Sequence, residues 1–182
     1  MLAIETVAVV GATEAGTACA VLASLAGCAV RFHDPALEAL DLAFEAVRRK
    51  VELALAAGAI TPSERQRILD GVLFTPDLEE ALTATDLLVE ADARAPEERL
   101  ARLSDLLRAS AAVAAAGATA PSVIAARVSQ PGRVLALRLA DAHGPVPRLE
   151  VAPVDGTSPH VIERAEAFVQ RVNRAARVAR GS

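Results

Sequence analysis

The sequence has very few aromatic residues and no excess of positive charge. It contains no tryptophan and no tyrosine, and only 4 phenylalanines among 182 residues. Proteins that hold single-stranded nucleic acid usually stack the bases on aromatic side chains, so this scarcity argues against such a partner. The formal net charge of -4 provides no general positive field for a phosphate backbone or an anionic bilayer. We therefore expect neither nucleic acid nor a membrane as a partner.

Cysteine and long apolar runs are also scarce. The two cysteines, Cys19 and Cys28, are too few for a disulfide framework and lie among small apolar residues. They indicate buried, reduced thiols, with a redox pair as the alternative. The N-terminus lacks a basic segment followed by an apolar core, and charges recur too often for a membrane-spanning stretch. These absences predict a soluble, cytoplasmic protein without a metal site.

Short apolar runs alternate with stretches of helical spacing along the chain. Strands are predicted at 7–10, 29–33, 72–74, 87–89, 112–114, 134–137 and 149–151. Helices are predicted at 15–26, 37–57, 62–69, 77–84, 96–109, 122–128 and 159–172. With 53% hydrophobic residues the chain can bury one sizeable core, so we expect residues 1–182 to form a single domain. The alternation predicts an α/β fold with a doubly wound, mainly parallel sheet.

Local capping signals define a long helical hairpin after the second strand. Pro35 is expected in the first turn of the hairpin's first helix, and Gly58 at the end of that helix. Thr61, Pro62 and Glu64 have the spacing of a capping box with proline at the first helical position, which predicts the start of the second helix.

Residues 11–16, with the sequence GATEAG, follow the first strand directly and open a helix. This is the context of the G-x-G-x-x-G dinucleotide-binding turn of Rossmann-type sheets, in which Gly11 and Gly16 keep two of the three glycines. Thr13 replaces the second glycine and places a branched side chain where phosphate would approach. Glu14 adds a negative charge there, or else caps the helix. The loop therefore predicts a dinucleotide site that is weakened or lost.

Asp34 ends the second strand, about 20 residues beyond the glycine loop. A carboxylate at this position accepts hydrogen bonds from the adenosine ribose and favours NAD over NADP. An aspartate before a proline is also a common residue at a helix start, and both interpretations stay open.

Several motifs in a fixed order carry a family resemblance. They are VAVVG at 7–11, the Asp34 region, DLLVEA at 86–91, PGRV at 131–134 and LEV at 149–151 followed by Thr157 and Ser158. Over nearly the whole chain the sequence resembles the N-terminal NAD-binding domain of 3-hydroxyacyl-CoA dehydrogenases, including 3-hydroxybutyryl-CoA dehydrogenases. The resemblance implies NAD-dependent oxidation of an L-3-hydroxyacyl-CoA to the 3-oxo form, with a histidine as general base and an assisting glutamate.

The same resemblance implies partners for this domain. Family members close their substrate cleft against a C-terminal helical domain, which we expect to be absent here. The partners that the resemblance implies are an acyl-CoA substrate, a second chain that supplies the helical domain, and further copies of this chain in a homo-oligomer.

The catalytic positions of the family are altered in this sequence. The position of the catalytic histidine corresponds to Arg138, while Glu150 matches the family glutamate and Asp141 replaces an asparagine. Arginine stays protonated and cannot remove a proton from a substrate hydroxyl, so the family mechanism is expected to fail. His143 is a potential substitute base, or else an ordinary loop histidine.

Two further family positions concern the cofactor side. An Asn-Thr-Ser turn that contacts nicotinamide and substrate falls on residues 117–119, where Gly117 replaces the asparagine and the Thr119 hydroxyl remains. Glu90 matches a glutamate on the cofactor side, or is a strand-end residue exposed in a loop.

Two functions are consistent with these observations. One is an NAD-dependent dehydrogenase domain with impaired catalysis. The other is a non-catalytic binding module, or pseudoenzyme, in which Arg138 and Glu150 form a salt bridge. A third and weaker interpretation is a basic stripe along the C-terminal segment, formed by Arg171, Arg174, Arg177 and Arg180 if that segment is helical. A terminal strand with exposed arginines is the expected alternative.

Overall fold

A computed structural model describes residues 3–92, 97–140 and 146–180. Within these ranges the strands are β1 (Thr6–Val10), β2 (Ala29–His33), β3 (Val72–Thr75), β4 (Leu87–Glu90), β5 (Ala112–Ala115), β6 (Val134–Ala140) and β7 (Arg148–Pro153). The helices are α1 (Glu14–Leu25), α2 (Leu37–Ala56), α3 (Pro62–Asp70), α4 (Leu78–Leu82), α5 (Glu97–Leu106), α6 (Pro121–Ala125) and α7 (Pro159–Arg180). A short 3-10 turn at Pro131–Arg133 leads into β6.

The strands form one sheet in the order β3-β2-β1-β4-β5-β6-β7. All neighbouring pairs are parallel except β6 and β7, which run antiparallel. The strand order reverses between β1 and β4, which creates the switch point of a doubly wound sheet. The predicted α/β fold with a mainly parallel sheet is therefore confirmed.

Helices cover both faces of the sheet and bury its central strands. β4 and β5 are buried along their whole length, as parallel strands with two covered faces must be. One face packs against α1, α2, α3 and α7, with Leu22, Val47, Ile68 and Phe168 in the core. The other packs against α4, α5 and α6, with Leu82, Leu103 and Ile124 in a second cluster. The two helical layers thus enclose the central strands of the sheet.

The capping signals of the helical hairpin are confirmed except at its start. Thr61 and Glu64 form the reciprocal capping box, and Gly58 has a φ of +67 just beyond α2. Pro35 does not enter the first turn, because α2 begins at Leu37. The Asp34 carboxylate accepts a hydrogen bond from the amide of Ala36 at 3.1 Å, and this local turn keeps Pro35 outside the helix, which begins at Leu37 as its apolar spacing predicts.

The expected terminal strand is wrong, since α7 continues to Arg180. Its buried residues recur every three or four positions, at Val161, Ala165, Phe168, Val172 and Ala176, and pack on the sheet. This apolar stripe continues past residue 172, the end of the predicted helix. Burial of these residues against the sheet explains why the helix is longer than predicted.

Of the four arginines considered as a basic stripe, Arg171 and Arg174 have side chains within the described residues. The Arg171 guanidinium donates to the carbonyl of Ile4 and pairs with Glu5 at 3.1 Å, which ties the helix to the start of β1. Arg174 is exposed, and the side chains of Arg177 and Arg180 lie outside the described residues. Arg171 thus has a structural role, and the basic stripe considered from the sequence stays a prediction.

Cys19 and Cys28 are buried free thiols, as predicted. Burial raises the pKa of Cys19 to about 12, so its thiol stays protonated and unreactive. Burial also raises the pKa of Cys28, although the nearby Arg171 opposes that shift.

Residues 3–92, 97–140 and 146–180 contain neither a membrane-spanning helix nor a cluster of metal-ligating side chains. None of their helices combines the length and the apolar character needed to cross a bilayer. Nor do these residues bring three or more histidine, cysteine or acidic side chains together as a metal site.

Candidate functional site

The residues predicted for the functional site lie along the carboxyl edge of the sheet. The glycine loop follows β1, Asp34 follows β2, Glu90 ends β4, and Thr119 lies between β5 and α6. These strands are neighbours across the switch point. Ligands of open α/β sheets bind outside the carboxyl ends of the strands at this point, so the fold brings the predicted residues to the expected place.

The two glycines of the loop permit close backbone approaches. Gly11 has a φ of +105, and a Cβ atom there would lie 2.5 Å from the backbone nitrogen of Asp92. A Cβ atom on Gly16 would overlap the carbonyl oxygen of Gly11. A side chain at either position would push α1 or the segment after β4 away from β1, which explains why these two glycines are present.

Thr13 caps helix α1 instead of projecting into the space in front of it. Its hydroxyl accepts a hydrogen bond from the Gly16 amide at 3.1 Å and donates one to the Ala91 carbonyl at 2.8 Å. Among the described residues, the amides of Glu14 and Ala15 have no acceptor. The helix N-terminus therefore keeps two backbone donors for an anion, together with its partial positive charge.

Glu14 occupies the first position of α1 and pairs with Lys50 of α2. The alternative that Glu14 caps the helix is wrong, because Thr13 is the N-cap. The ammonium group of Lys50 offsets the negative charge expected to repel a phosphate. The carboxylate side chain is 80% exposed, so solvent weakens both the repulsion and the ion pair.

The Asp34 carboxylate joins the glycine loop to the start of α2. One oxygen accepts from the Ala12 amide at 3.1 Å, and the other accepts from the Ala36 amide at the same distance. Asp34 thus lies beside the loop and also precedes a helix, and its contact with a ribose stays a prediction. A carboxylate has about four lone-pair sites, so two of them stay available to hydroxyl donors of a ligand.

Glu90 is fully buried, and the alternative of an exposed loop residue is wrong. One of its carboxylate oxygens accepts from the Asp92 amide at 3.1 Å and pairs with the Arg99 guanidinium at 2.8 Å. Arg99 also pairs with the Asp92 carboxylate at 3.0 Å. Burial raises the pKa of Glu90, while the charge of Arg99 opposes the shift. The sequence did not indicate Arg99, because its role depends on how α5 packs beside β4.

A groove of about 580 Å³ opens next to Asp34. Pro35, Pro76 and Leu78 give it apolar walls, and the polar part of its lining consists of His33, Asp77, Glu79, Arg99 and Arg102. His33 is buried with Nδ1 3.2 Å from the Thr75 carbonyl oxygen, and burial lowers the pKa of its imidazole. The groove is therefore a mixed apolar and charged space that begins at the residues flanking Asp34.

Gly117 lies against the same backbone segment as Gly11. A Cβ atom on Gly117 would come within 2.6 Å of the carbonyl oxygens of Ala91 and Asp92. The end of β4 is therefore packed between the loops after β1 and β5. The asparagine of the family turn would not fit at Gly117 without a shift of this backbone, which gives a steric reason for the glycine.

Arg138 and Glu150 are direct partners in the antiparallel pairing of β6 and β7. Both side chains are exposed, and the ion pairs of the described chain do not include one between them. The expected salt bridge is therefore wrong, although the expected register is right. An exposed pair gains little energy against the side-chain entropy that it costs. Asp141 and His143 lie outside the described residues.

Comparison with known proteins identifies the family of this edge site. The sequence profile described as "3-hydroxyacyl-CoA dehydrogenase, NAD binding domain" matches residues 6–181. The chain belongs to this family. The resemblance drawn from the sequence motifs is thereby confirmed, and membership supports NAD binding.

Two relatives show how much of a family member the chain represents. A 3-hydroxybutyryl-CoA dehydrogenase of Mycobacterium tuberculosis is 30% identical over 175 residues, which are 93% of this chain and 61% of the relative. The 3-hydroxyadipyl-CoA dehydrogenase of Escherichia coli K12 is 26% identical over 168 residues, which are 90% of this chain and 35% of the relative. The chain thus spans less than two thirds of the length of either dehydrogenase.

Solved dehydrogenase structures have the same fold. The crystal structure of M. tuberculosis FadB2 superposes with a TM-score of 0.83 at 30% identity, covering 94% of this chain and 61% of that one. The E. coli K12 3-hydroxybutyryl-CoA dehydrogenase gives a TM-score of 0.84 at 25% identity, covering 94% of this chain and 37% of that one. The 3-hydroxyacyl-CoA dehydrogenase domain described above therefore has a Rossmann-type fold.

Proposed function

We propose that this 3-hydroxyacyl-CoA dehydrogenase domain binds NAD(H) at the glycine loop and Asp34, and that the chain alone does not perform the family reaction. The observation that carries the proposal is the joint geometry of α1 and Asp34. The free amides of Glu14 and Ala15 lie at the N-terminus of α1, and the Asp34 carboxylate is hydrogen-bonded to Ala12 of the same loop. Backbone N–H donors for an anion therefore lie next to a carboxylate that can accept from a hydroxyl group.

The residues of this edge fit the parts of a dinucleotide. The Glu14 and Ala15 amides would hold the pyrophosphate, whose charge the helix N-terminus favours. The Asp34 carboxylate would accept from the adenosine ribose, and the groove at Pro35 and Pro76 would take the adenine. A bound nicotinamide would donate or accept the hydride, and the residues of this chain would hold the cofactor in position.

Replacing Asp34 by asparagine tests the ribose contact. The amide retains one oxygen acceptor for the Ala12 N–H but loses the negative charge, and charge-assisted hydrogen bonds are the stronger kind. We expect NADH binding to weaken about tenfold. We also expect the parent's preference for NADH over NADPH to shrink, because Asp34 no longer repels a 2′-phosphate. Titration by NADH fluorescence measures both changes.

Asp41→Asn is the matched control for Asp34→Asn. Asp41 is an exposed residue of α2, and its replacement should leave NADH affinity unchanged. Equal affinities of the parent chain and Asp34→Asn, with circular dichroism showing that both are folded, would contradict the proposed ribose contact.

Arg138 is the reason to expect no independent catalysis. A guanidinium remains protonated at any working pH, so it cannot act as the general base at the position of the family histidine. We expect no reduction of acetoacetyl-CoA by NADH above the uncatalysed rate. The decrease in NADH absorbance at 340 nm, with acetoacetyl-CoA at about millimolar concentration, measures this rate.

Turnover that disappears in Asp34→Asn would contradict the non-catalytic part of the proposal. If His143→Ala abolished such turnover as well, His143 would be the base instead.

The non-catalytic binding module considered from the sequence is the second candidate function. Gly117 in place of the family asparagine favours it, since the β4 backbone leaves no space for that side chain.

A further inference from the structure

We propose that the His33 imidazole selects adenine as the base of the dinucleotide by accepting a hydrogen bond from its 6-amino group. His33 ends β2 and lines the groove of about 580 Å³ together with Pro35 and Pro76. The inference rests on the cofactor site proposed above and adds a chemical criterion for the base. A dinucleotide whose purine carries an oxygen in place of the amino group should bind more weakly.

The position of His33 next to Asp34 connects its ring to the proposed ribose contact. The lining of the groove includes both sequence neighbours of Asp34, which are His33 and Pro35. The Asp34 carboxylate is the proposed acceptor for the ribose hydroxyls, and the base is bonded directly to that sugar. The base of a ribose held by Asp34 would therefore enter the space that His33 lines.

His33 presents one ring nitrogen to this groove. The residue is only 3% exposed, and its Nδ1 lies 3.2 Å from the Thr75 carbonyl oxygen, whereas Nε2 makes no hydrogen bond within the described residues. Among these residues, the side-chain atoms that are sealed from solvent and lack a partner belong to Glu90, Arg99, Arg133 and Arg171. Nε2 of His33 is therefore in contact with the open space of the groove.

The Thr75 carbonyl determines which ring nitrogen carries the proton. A carbonyl oxygen can only accept, so a neutral His33 ring has its proton on Nδ1 and donates it to Thr75. Burial lowers the pKa of His33 and thereby favours the neutral ring, although the hydrogen bond to Thr75 opposes the shift. Nε2 is then an acceptor whose lone pair faces the groove.

The other polar side chains of the lining already have partners. Arg99 pairs with Glu90 at 2.8 Å, and Arg102 pairs with Glu79 at 3.2 Å. Asp77 caps α4 by accepting from its first backbone amides. Among the side chains that line the groove, His33 is thus the buried one whose acceptor lacks a donor.

The chemistry of the base identifies the missing donor. The adenine of a dinucleotide has acceptor nitrogens in its ring, and its N–H donor is the exocyclic 6-amino group. Hypoxanthine carries a carbonyl oxygen at that place, so an acceptor would face the Nε2 lone pair. A site that hydrogen-bonds one ligand group rejects an analogue without it, because the buried partner is then left unpaired.

Titration with NADH and with deamino-NADH, in which hypoxanthine replaces adenine, tests the inference through the fluorescence of the shared reduced nicotinamide. We expect the parent chain to bind NADH about tenfold more tightly than deamino-NADH. His33→Phe keeps a flat ring but has no acceptor, so it should bind both dinucleotides equally. His160→Phe is the matched control, since His160 is exposed and does not line the groove, and it should keep the parent's preference.

The ring nitrogens of His33 provide a second measurement that needs no variant. A proton–nitrogen NMR spectrum of the imidazole in the parent chain should show a neutral ring protonated at Nδ1. Saturation with NADH should shift the Nε2 resonance, since this atom gains a hydrogen bond, and saturation with deamino-NADH should shift it less.

The outcomes separate this inference from the proposed cofactor site. NADH binding with equal affinity for deamino-NADH, or an undiminished preference in folded His33→Phe, would overturn the role of His33 and leave the cofactor site intact. If His33→Phe does not fold, an Nε2 resonance that saturating NADH does not move has the same consequence. Absence of NADH binding by the parent chain would overturn the cofactor site and the role of His33 with it.

Discussion

Arg99→Met is expected to lower the free energy of unfolding by about 3–5 kcal/mol. The substitution leaves the Glu90 carboxylate fully buried without the guanidinium that lies 2.8 Å from it. One Glu90 oxygen has no hydrogen-bond partner even in the parent chain, so little else compensates the charge. Urea denaturation of the parent and the variant measures the difference.

The pH dependence of this loss follows from Glu90. Burial already raises the pKa of Glu90 in the folded chain, and removal of Arg99 takes away the charge that opposes the shift. A carboxyl group with a raised pKa in the folded state contributes stability at low pH and loses it as the pH rises through that pKa. The deficit of Arg99→Met should therefore be smaller at about pH 5 than at about pH 8.

Two further variants separate the buried charge from simple loss of a side chain. Glu90→Gln in the Arg99→Met background removes the unpaired charge and should recover a large part of the stability. Arg102→Met is the matched control in the same helix, because Arg102 forms an exposed pair with Glu79 and should cost only about 0–1 kcal/mol. Equal losses in Arg99→Met and Arg102→Met would contradict this role of Glu90.

Gly11→Ala is expected to cost about 2–5 kcal/mol, as the sum of two effects. An alanine at a φ of +105 is strained, and such left-handed conformations cost about 1–2 kcal/mol. Its Cβ atom would also lie 2.5 Å from the Asp92 nitrogen, and overpacking costs about 1–3 kcal/mol more. NADH affinity should fall as well, because the loop must move away from β4.

Gly27→Ala isolates the steric part of that prediction. Gly27 also has a positive φ, +83, but a Cβ atom there would meet nothing within 4 Å. It should therefore cost only the conformational strain, about 1–2 kcal/mol, and leave NADH binding unchanged. If the two alanine variants lost equal stability, close packing of Gly11 against the end of β4 would not explain the glycine.

The sequence predicts the fold well where local chemistry decides the structure. β2 matches its predicted range, and the capping box at Thr61 and Glu64 starts α3. Its failures occur where side chains or distant packing intervene. The Asp34 carboxylate accepts from the Ala36 amide, so Pro35 stays outside α2, and burial against the sheet extends α7 beyond the predicted end.

The site is predictable in its backbone and not in its ion pairs. The glycine loop and Asp34 belong to one β-α-β unit, so their spacing along the chain already places them together. The Glu14–Lys50 and Glu90–Arg99 pairs join elements whose relative positions depend on tertiary packing. The strand register that places Arg138 opposite Glu150 is predicted correctly. Register alone, however, does not determine whether two exposed side chains form an ion pair.

The most direct test of the central claim is an NMR titration of the chain with NADH, observing backbone amide resonances. We expect saturable shifts at Ala12, Glu14 and Ala15, smaller shifts at His33 and Asp34, and weaker binding in Asp34→Asn. Amides around Arg133 should be unaffected. No shifts at about millimolar NADH, or shifts confined to residues away from the glycine loop, would contradict the claim that this edge of the sheet is the cofactor site.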